Sequence, residues 1–192
     1  MTVVEIVTSG RCVKMALPNH KVADILTPVL DEIGKYLQDN STKPESGGYI
    51  LGYQHEKTGN ISLETVTSPY LLDRQTRISF KIRDPRHKIF LKRAARKKSY
   101  YMGVWHTHPQ RNPIPSSIDW DDWQETMKTD KTGSRYVFFL IAGTQEFRVW
   151  VGDCNDGKIV EIFECQKNED GLYVNEMEGQ EDKDNAICNI NN

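Results

Sequence analysis

The chain has 192 residues, 38% hydrophobic and 27% charged, with 25 Lys and Arg against 27 Asp and Glu. That length suits one domain with a real core, and 13 Gly with 8 Pro exclude collagen-like and low-complexity classes. No apolar run approaches the roughly 18 residues of a membrane span, and the opening MTVVEIVTSGRCVKMA lacks the basic start and long apolar stretch of a secretion signal.

Charge is unevenly placed. Residues 166–192 carry seven acids (Glu169, Asp170, Glu176, Glu178, Glu181, Asp182, Asp184) against two lysines, whereas Arg74 to Lys98 holds eleven bases and one acid, Asp84. The expectation is a mildly basic domain over 1–165 followed by an acidic, disordered tail over 166–192. Cys12, Cys154, Cys165 and Cys188 are widely scattered and read as reduced thiols, which fits a cytoplasmic protein.

In chain order, residues 2–8 and 11–17 alternate apolar and polar around Ser9-Gly10, predicting an opening hairpin. Thr27-Pro28 reads as an N-cap and first helical position, and Val29, Leu30, Ile33 and Leu37 follow at helical spacing. Val22, Ile25 and Leu26 would extend that helix only through a kink at the proline. Asp39 to Ser46 is a loop, and Tyr49–Leu51 and Ile61–Val66 are strands joined by a turn at Gly59. Residues 67–83 have no clean period and read as irregular. Asp84-Pro85 starts a helix to about Lys98, with Phe90, Leu91, Ala94 and Ala95 on one side. Tyr100–His106 is a strand and Ser116–Lys128 a helix. Tyr136–Ala142 with Phe147–Val151, then Lys158–Cys165 after Asn155-Asp156-Gly157, complete the sheet. Helices interleaved with hairpins indicate a mixed α/β architecture.

The chemistry concentrates in Trp105-His106-Thr107-His108-Pro109, followed by Ser116-Ser117-Ile118-Asp119. In an extended segment residues two apart share a face, so both imidazoles can reach one ion. Asp119, eleven residues on, can return across a loop as a third ligand, leaving a fourth zinc position for water. Spacing alone does not separate Asp119 from Asp121 or Asp122. Ser116-x-x-Asp119 also matches an N-cap with an acid at the third helical position, a role compatible with holding Asp119 still. Glu45, in Pro44-Glu45-Ser46-Gly47-Gly48, is the candidate proton carrier, beside two glycines whose lack of bulk would admit a substrate. Ser116 is a candidate hydrogen-bond donor to a developing oxyanion. Trp105 lies opposite the metal-facing side and is expected in the core, while Trp120 and Trp123 either pack the helix or wall the site. His20, His55 and His87 lack partners at ligand spacing and are expected to be structural.

The combined pattern Glu45…His106-x-His108-Pro109-x6-Ser116-x-x-Asp119 resembles the signature of the JAMM (MPN+, JAB-domain) zinc metalloisopeptidases over roughly residues 20–152. The resemblance implies one catalytic zinc ion held by His106, His108 and Asp119, with Glu45 as general base and acid and Ser116 stabilising the oxyanion. It also implies a curved, largely antiparallel sheet flanked by helices, related to the cytidine deaminase-like fold. The deaminase signature itself is missing, since the chain has no His-x-Glu and no Cys-x-x-Cys.

Local wording around Gly103–Pro109, with Pro113, Pro115, Trp120 and Trp123, is most similar to the deubiquitinase-like JAB isopeptidases of bacterial anti-phage CBASS operons. Those release a cGAS-like nucleotidyltransferase conjugated through its C-terminus. The implied partner is a protein with an extended C-terminal tail, such a nucleotidyltransferase or a ubiquitin-like modifier, with residues 66–82 expected to pair with that tail by strand addition. No membrane partner is expected. A JAB protease of a ubiquitin-like conjugation operon is the neighbouring alternative. From other classes come a non-catalytic tail-binding module and, more weakly, nucleic-acid binding through the basic run, which no recognised motif accompanies.

Overall fold

Among the described residues, alternating patterns and turn residues set out a long series of strands interrupted by three helices. They are β1 (Val13–Ala16), β2 (Val22–Ile25), α1 (Thr27–Gly34), β3 (Gly47–Gln54), β4 (Ile61–Val66), β5 (Arg74–Thr76), β6 (Ser79–Lys81), α2 (Arg86–Ala95), β7 (Tyr100–Thr107), α3 (Ser117–Thr129), β8 (Tyr136–Ala142), β9 (Phe147–Asp153), β10 (Ile159–Ile162), β11 (Gln166–Lys167) and β12 (Tyr173–Val174). The structure is a computed structural model that describes residues 12–130, 132–167 and 173–174. Eight strands form one sheet in the order β1-β2-β4-β3-β7-β8-β9-β10. The pairs β2–β4 and β7–β8 are parallel and the other neighbours antiparallel, which is the mixed, largely antiparallel α/β class expected.

The sheet curls. The chain leaving β10 reaches the opposite edge, where the Ala16 N–H donates to Phe163 O at 2.9 Å and the Cys165 N–H to Lys14 O at 2.7 Å. Register shifts in β3 at Ile50/Leu51 and Leu51/Gly52 add the local bend that bulges impose. One face packs α1, where Val29, Leu30 and Ile33 meet Ile25, Leu63 and Trp105. The other packs α3 through Trp123, whose ring stacks on Phe139 at 4.7 Å beside Trp150. Covered on both faces, β8 (YVFFLIA) is buried at every position and reads as a continuous apolar run.

Several expectations need correction. Residues 2–8 lie outside the described residues, and β1 pairs with β2 across 22–25. Val22–Ile25 is a strand because that conformation buries Ala23 and Ile25 without meeting the clash a helix would meet at Pro28. Leu26, not Thr27, is the N-cap of α1, so Pro28 falls one position further into the first turn. Residues 67–83 are not wholly irregular, since Arg74–Thr76 and Ser79–Lys81 make a separate two-stranded hairpin. Helix α2 ends at Ala95, and Lys98 at φ 63° takes the left-handed conformation that turns the chain out of it. Pro85 occupies its cap position while Asp84 Oδ1 accepts the Arg86 N–H at 2.9 Å. Ala94 is buried under α2 but Ala95 is exposed, because only a narrow stripe of this helix meets the sheet. Within the tail, β11 and β12 pair antiparallel; its predicted disorder otherwise concerns residues outside those described. Among the described residues, no helix is long and apolar enough to cross a membrane.

Candidate metal centre

Strand β7 points Trp105 into the α1 side of the core, where its Nε1–H donates to Thr67 O at 3.1 Å, and turns His106 to the opposite face. Hydrogen bonding continues through the end of the strand and one residue beyond: the Thr107 N–H donates to Ser46 O at 2.8 Å and the His108 N–H to Ala142 O at 2.9 Å. His108 therefore stays extended and shares the face of His106. The two Nε2 atoms lie 3.1 Å apart.

Glu45 enters from the loop before β3, with Oε1 at 3.8 Å from each imidazole Nε2. Asp119 enters from the first turn of α3, with Oδ1 at 3.1 Å from His106 Nε2 and Oδ2 at 3.5 Å from His108 Nε2. A capping box fixes it. Ser116 Oγ accepts the Asp119 N–H at 3.2 Å, while the Ser116 N–H and hydroxyl both donate to Asp119 Oδ2, at 2.6 and 2.7 Å. The bonds that cap α3 thus also hold the Asp119 carboxylate beside the two histidines. Among the described residues neither Asp121 nor Asp122 pairs with the histidines, and Asp122 lines the adjoining cleft.

The donor set fits a metal ion. Donor atoms of Glu45, His106 and His108 all lie within 4.8 Å of one another, in residues that are largely buried. His106 Nε2 faces a second imidazole nitrogen and two carboxylate oxygens, yet it carries at most one hydrogen. One shared cation satisfies all these lone pairs, and two nitrogens with a carboxylate oxygen suit zinc.

The electrostatics separate the two carboxylates. Burial pushes the Glu45 carboxyl up to about 7, with His106 opposing and Asp119 adding to the rise. Burial alone would raise Asp119 too, but the His106 hydrogen bond and charge, with the Ser116 hydrogen bonds, hold it well below the carboxylate range. Burial, and then the neighbouring His106, lowers His108.

Beside the cluster lies a cleft of about 540 Å³, walled by β6 and Ile82 on one side and by Ile118, Asp122, Glu125 and Thr126 of α3 on the other. Trp123 does both things open to it, packing α3 and lining this cleft, while Trp120 rests on it at 5.1 Å. The β5–β6 hairpin was missed from sequence, where two three-residue strands give almost no period. The two glycines after Glu45 do not clear space for a substrate. A Cβ at Gly47 would lie 2.5 Å from Trp105 O and 2.6 Å from the Phe80 ring, and one at Gly48 would lie 2.1 Å from Thr67 O. The protein itself fills that space.

Residues 27–152 match the Prok-JAB family, described as prokaryotic homologs of the JAB domain. The chain is similar to three proteins named CD-NTase/cGAS isopeptidase. The one from Vibrio cholerae serotype O1 is 26% identical over 143 residues, covering 72% of this chain and 85% of the relative. The one from Pseudomonas aeruginosa is 32% identical over 117 residues, covering 59% and 72%. That from Escherichia coli is 27% identical over 138 residues, covering 70% and 81%. The match spans α1 through most of β9, including all of β7 and α3, and the chain belongs to the Prok-JAB family.

Proposed function

We propose that this protein is a zinc-dependent isopeptidase that cleaves after the C-terminal residue of a protein modifier. In this reading it removes a conjugated cGAS-like nucleotidyltransferase from its targets in an anti-phage CBASS system in the cytoplasm. The observation that carries the chemistry is the approach of Glu45 to a two-histidine, one-aspartate cluster at the end of a cleft. The names of the three relatives support the substrate class.

His106, His108 and Asp119 would hold the metal. When bound, zinc polarises a carbonyl and makes water a stronger nucleophile at neutral pH. Glu45 takes a proton from the attacking water and passes it to the departing amine nitrogen, and a carboxyl titrating near neutrality suits both directions of transfer. Ser116 donates to the carbonyl oxygen as negative charge grows there, giving up its present bond to Asp119 Oδ2. Strand β6 pairs with β5 on one edge, and its residues line the cleft. An extended tail adds to that second edge as a third strand.

The test is cleavage of a nucleotidyltransferase or ubiquitin-like protein fused through its C-terminus to a reporter, read by intact mass beside metal content. Wild type should hold about one zinc per chain and cut at the last residue of the modifier, while Glu45→Ala keeps zinc and does not cut. Equal turnover by Glu45→Ala would remove the proton-carrier role. A cut confined to the ubiquitin-like fusion would move the enzyme to a conjugation operon, and a chain that binds tails without stoichiometric zinc would be a docking module.

A further inference from the structure

Three buried polar side chains outside the cluster take no part in the chemistry above. His87 and Thr67 are fully buried and Asp73 nearly so. They form one bridge, with His87 Nε2 at 2.8 Å from Asp73 Oδ2 and His87 Nδ1 at 2.7 Å from Thr67 Oγ1. Asp73 also accepts the backbone N–H groups of Tyr70, Arg83 and Asp84, at 2.7, 2.8 and 2.9 Å. Thr67 Oγ1 accepts the Tyr49 N–H at 2.8 Å. Assigning hydrogens to satisfy every group puts the imidazole proton on Nε2, facing the carboxylate, and turns the Thr67 hydroxyl hydrogen to Nδ1. The rings of Tyr49 and Tyr70 close over His87 edge-on, at 5.5 and 4.6 Å. A buried carboxylate is tolerated only when it is fully bonded, and this one accepts from four donors.

What the bridge joins gives it a role. Asp73 clasps Arg83 and Asp84 and so closes the base of the excursion whose tip is the β5–β6 hairpin. That hairpin holds the loop before β3: the Glu45 N–H donates to Thr76 O at 2.7 Å, Gln38 Nε2 donates to Arg77 O at 3.2 Å, and Phe80 fills the space above Gly47. At the other end, Thr67 is bonded to β3 four residues past Glu45. Glu45 thus sits between two elements that Asp73, His87 and Thr67 tie together.

We propose that Asp73 and His87 are positioning residues for Glu45. Their bridge to Thr67 sets the spacing between the hairpin and β3, and through it the 3.8 Å approach of the Glu45 carboxylate to both imidazoles. The kinetic consequence rests on the isopeptidase reading; the structural one does not. Displacing a reacting group by about 1 Å can cost on the order of 100-fold in rate, so loosening the bridge should lower kcat more than it raises KM.

The experiment uses the full-length, zinc-loaded chain with Asp73→Asn, Thr67→Val and the hydroxyl-keeping Thr67→Ser. Amide hydrogen exchange, zinc stoichiometry and cleavage kinetics are read on each. Asp73→Asn and Thr67→Val should exchange the Glu45 and 74–81 amides about ten-fold faster or more, with β8 amides and zinc content unchanged. Their kcat should fall by about ten-fold or more while KM moves less, and Thr67→Ser should behave as wild type. Wild-type protection of the Glu45 amide in both disruptive variants overturns the proposal, as does an undiminished kcat. If wild type cuts no fusion the isopeptidase reading fails, and exchange at Glu45 still decides the bridge. Should Asp73→Asn not fold, Thr67→Val, which keeps the side-chain volume, decides it alone.

Discussion

At the scale of single residues, Ser116 caps α3 and bonds the Asp119 carboxylate that faces the histidines, and the roles proposed for it separate by substitution. The Ser116 hydroxyl has one hydrogen, and it goes to Asp119 Oδ2. If its main service is to a developing oxyanion, Ser116→Ala should lower kcat by about 100-fold or more and leave zinc affinity near wild type. If it chiefly orients Asp119, the same variant should lose zinc affinity by about 10–100-fold, as substitutions behind metal ligands do. Zinc titration beside kcat on one preparation separates the two. His108→Ala should lose both metal and activity, since one imidazole and one carboxylate are too few protein ligands for a zinc site; full zinc stoichiometry in that variant would remove His108 from the ligand set. Asp73 gives a prediction about acid. Burial would raise its carboxyl, yet three backbone N–H groups and His87 bring it below its ordinary value. A carboxyl lowered in the folded state contributes stability that is complete above its unfolded value of about 3.9 and is lost as pH falls towards the folded one. Wild type should therefore lose urea resistance below about pH 4 more steeply than Asp73→Asn, and parallel curves would show that Asp73 does not supply that dependence.

At the scale of elements, legibility followed locality. Strand β7 and helix α3 were read from sequence because their signals lie within a few residues: the His-x-His alternation on a strand, and a serine with an acid three positions on. Those two elements carry His106 and Asp119, and His108 follows directly on β7, so these candidate residues were visible before the fold. Strand β2 was not, because Val22–Ile25 alternates over only four residues and its partners are β1 and, in parallel, the distant β4. The β5–β6 hairpin escaped notice because three-residue strands offer almost no period, and what holds the hairpin is Asp73, His87 and Thr67, far apart in sequence. The glycines after Glu45 were noticed for the wrong reason, since their missing side chains admit Phe80 and Trp105 O. If β6 is the edge that takes an extended tail, Phe80, whose place opposite Gln75 leaves its N–H on the edge away from β5, loses that backbone donor in Phe80→Pro while Phe80→Ala keeps it. KM for a tail-bearing substrate should rise about ten-fold or more with proline, at unchanged zinc content. An unchanged KM would show that the tail lies elsewhere in the cleft.

At the scale of the whole molecule, the basic run becomes a surface on the site's side of the sheet. Tyr49 touches both His87 of α2 and Tyr101, and Tyr101 packs against the cluster that holds Trp123 of α3, so α2 and α3 share a face. Helix α2 and its cap residue expose Lys88, Lys92, Arg93 and Arg96, and within the helix His87 and Ala94 are buried while Phe90 and Leu91 are half-buried. Lys88–Lys92 and Lys92–Arg96 are like-charge pairs four residues apart, each costing a helix about 0.2–0.5 kcal/mol. A helix that keeps such repulsion while burying so little gains most when an acidic surface lies over it. A protein substrate with acids near its tail should therefore be drawn in electrostatically, with kcat/KM falling as salt shortens the Debye length from about 10 Å at 0.1 M towards 3 Å at 1 M. Lys92→Glu with Arg93→Glu should lower kcat/KM at low salt and flatten its salt dependence. Both positions are exposed and lie outside the residues assigned to metal binding or proton transfer, so kcat and zinc content should hold. A kcat/KM for such a substrate that does not respond to salt, or that the double substitution leaves alone, would return the basic helix to a solvated face with no share in recognition.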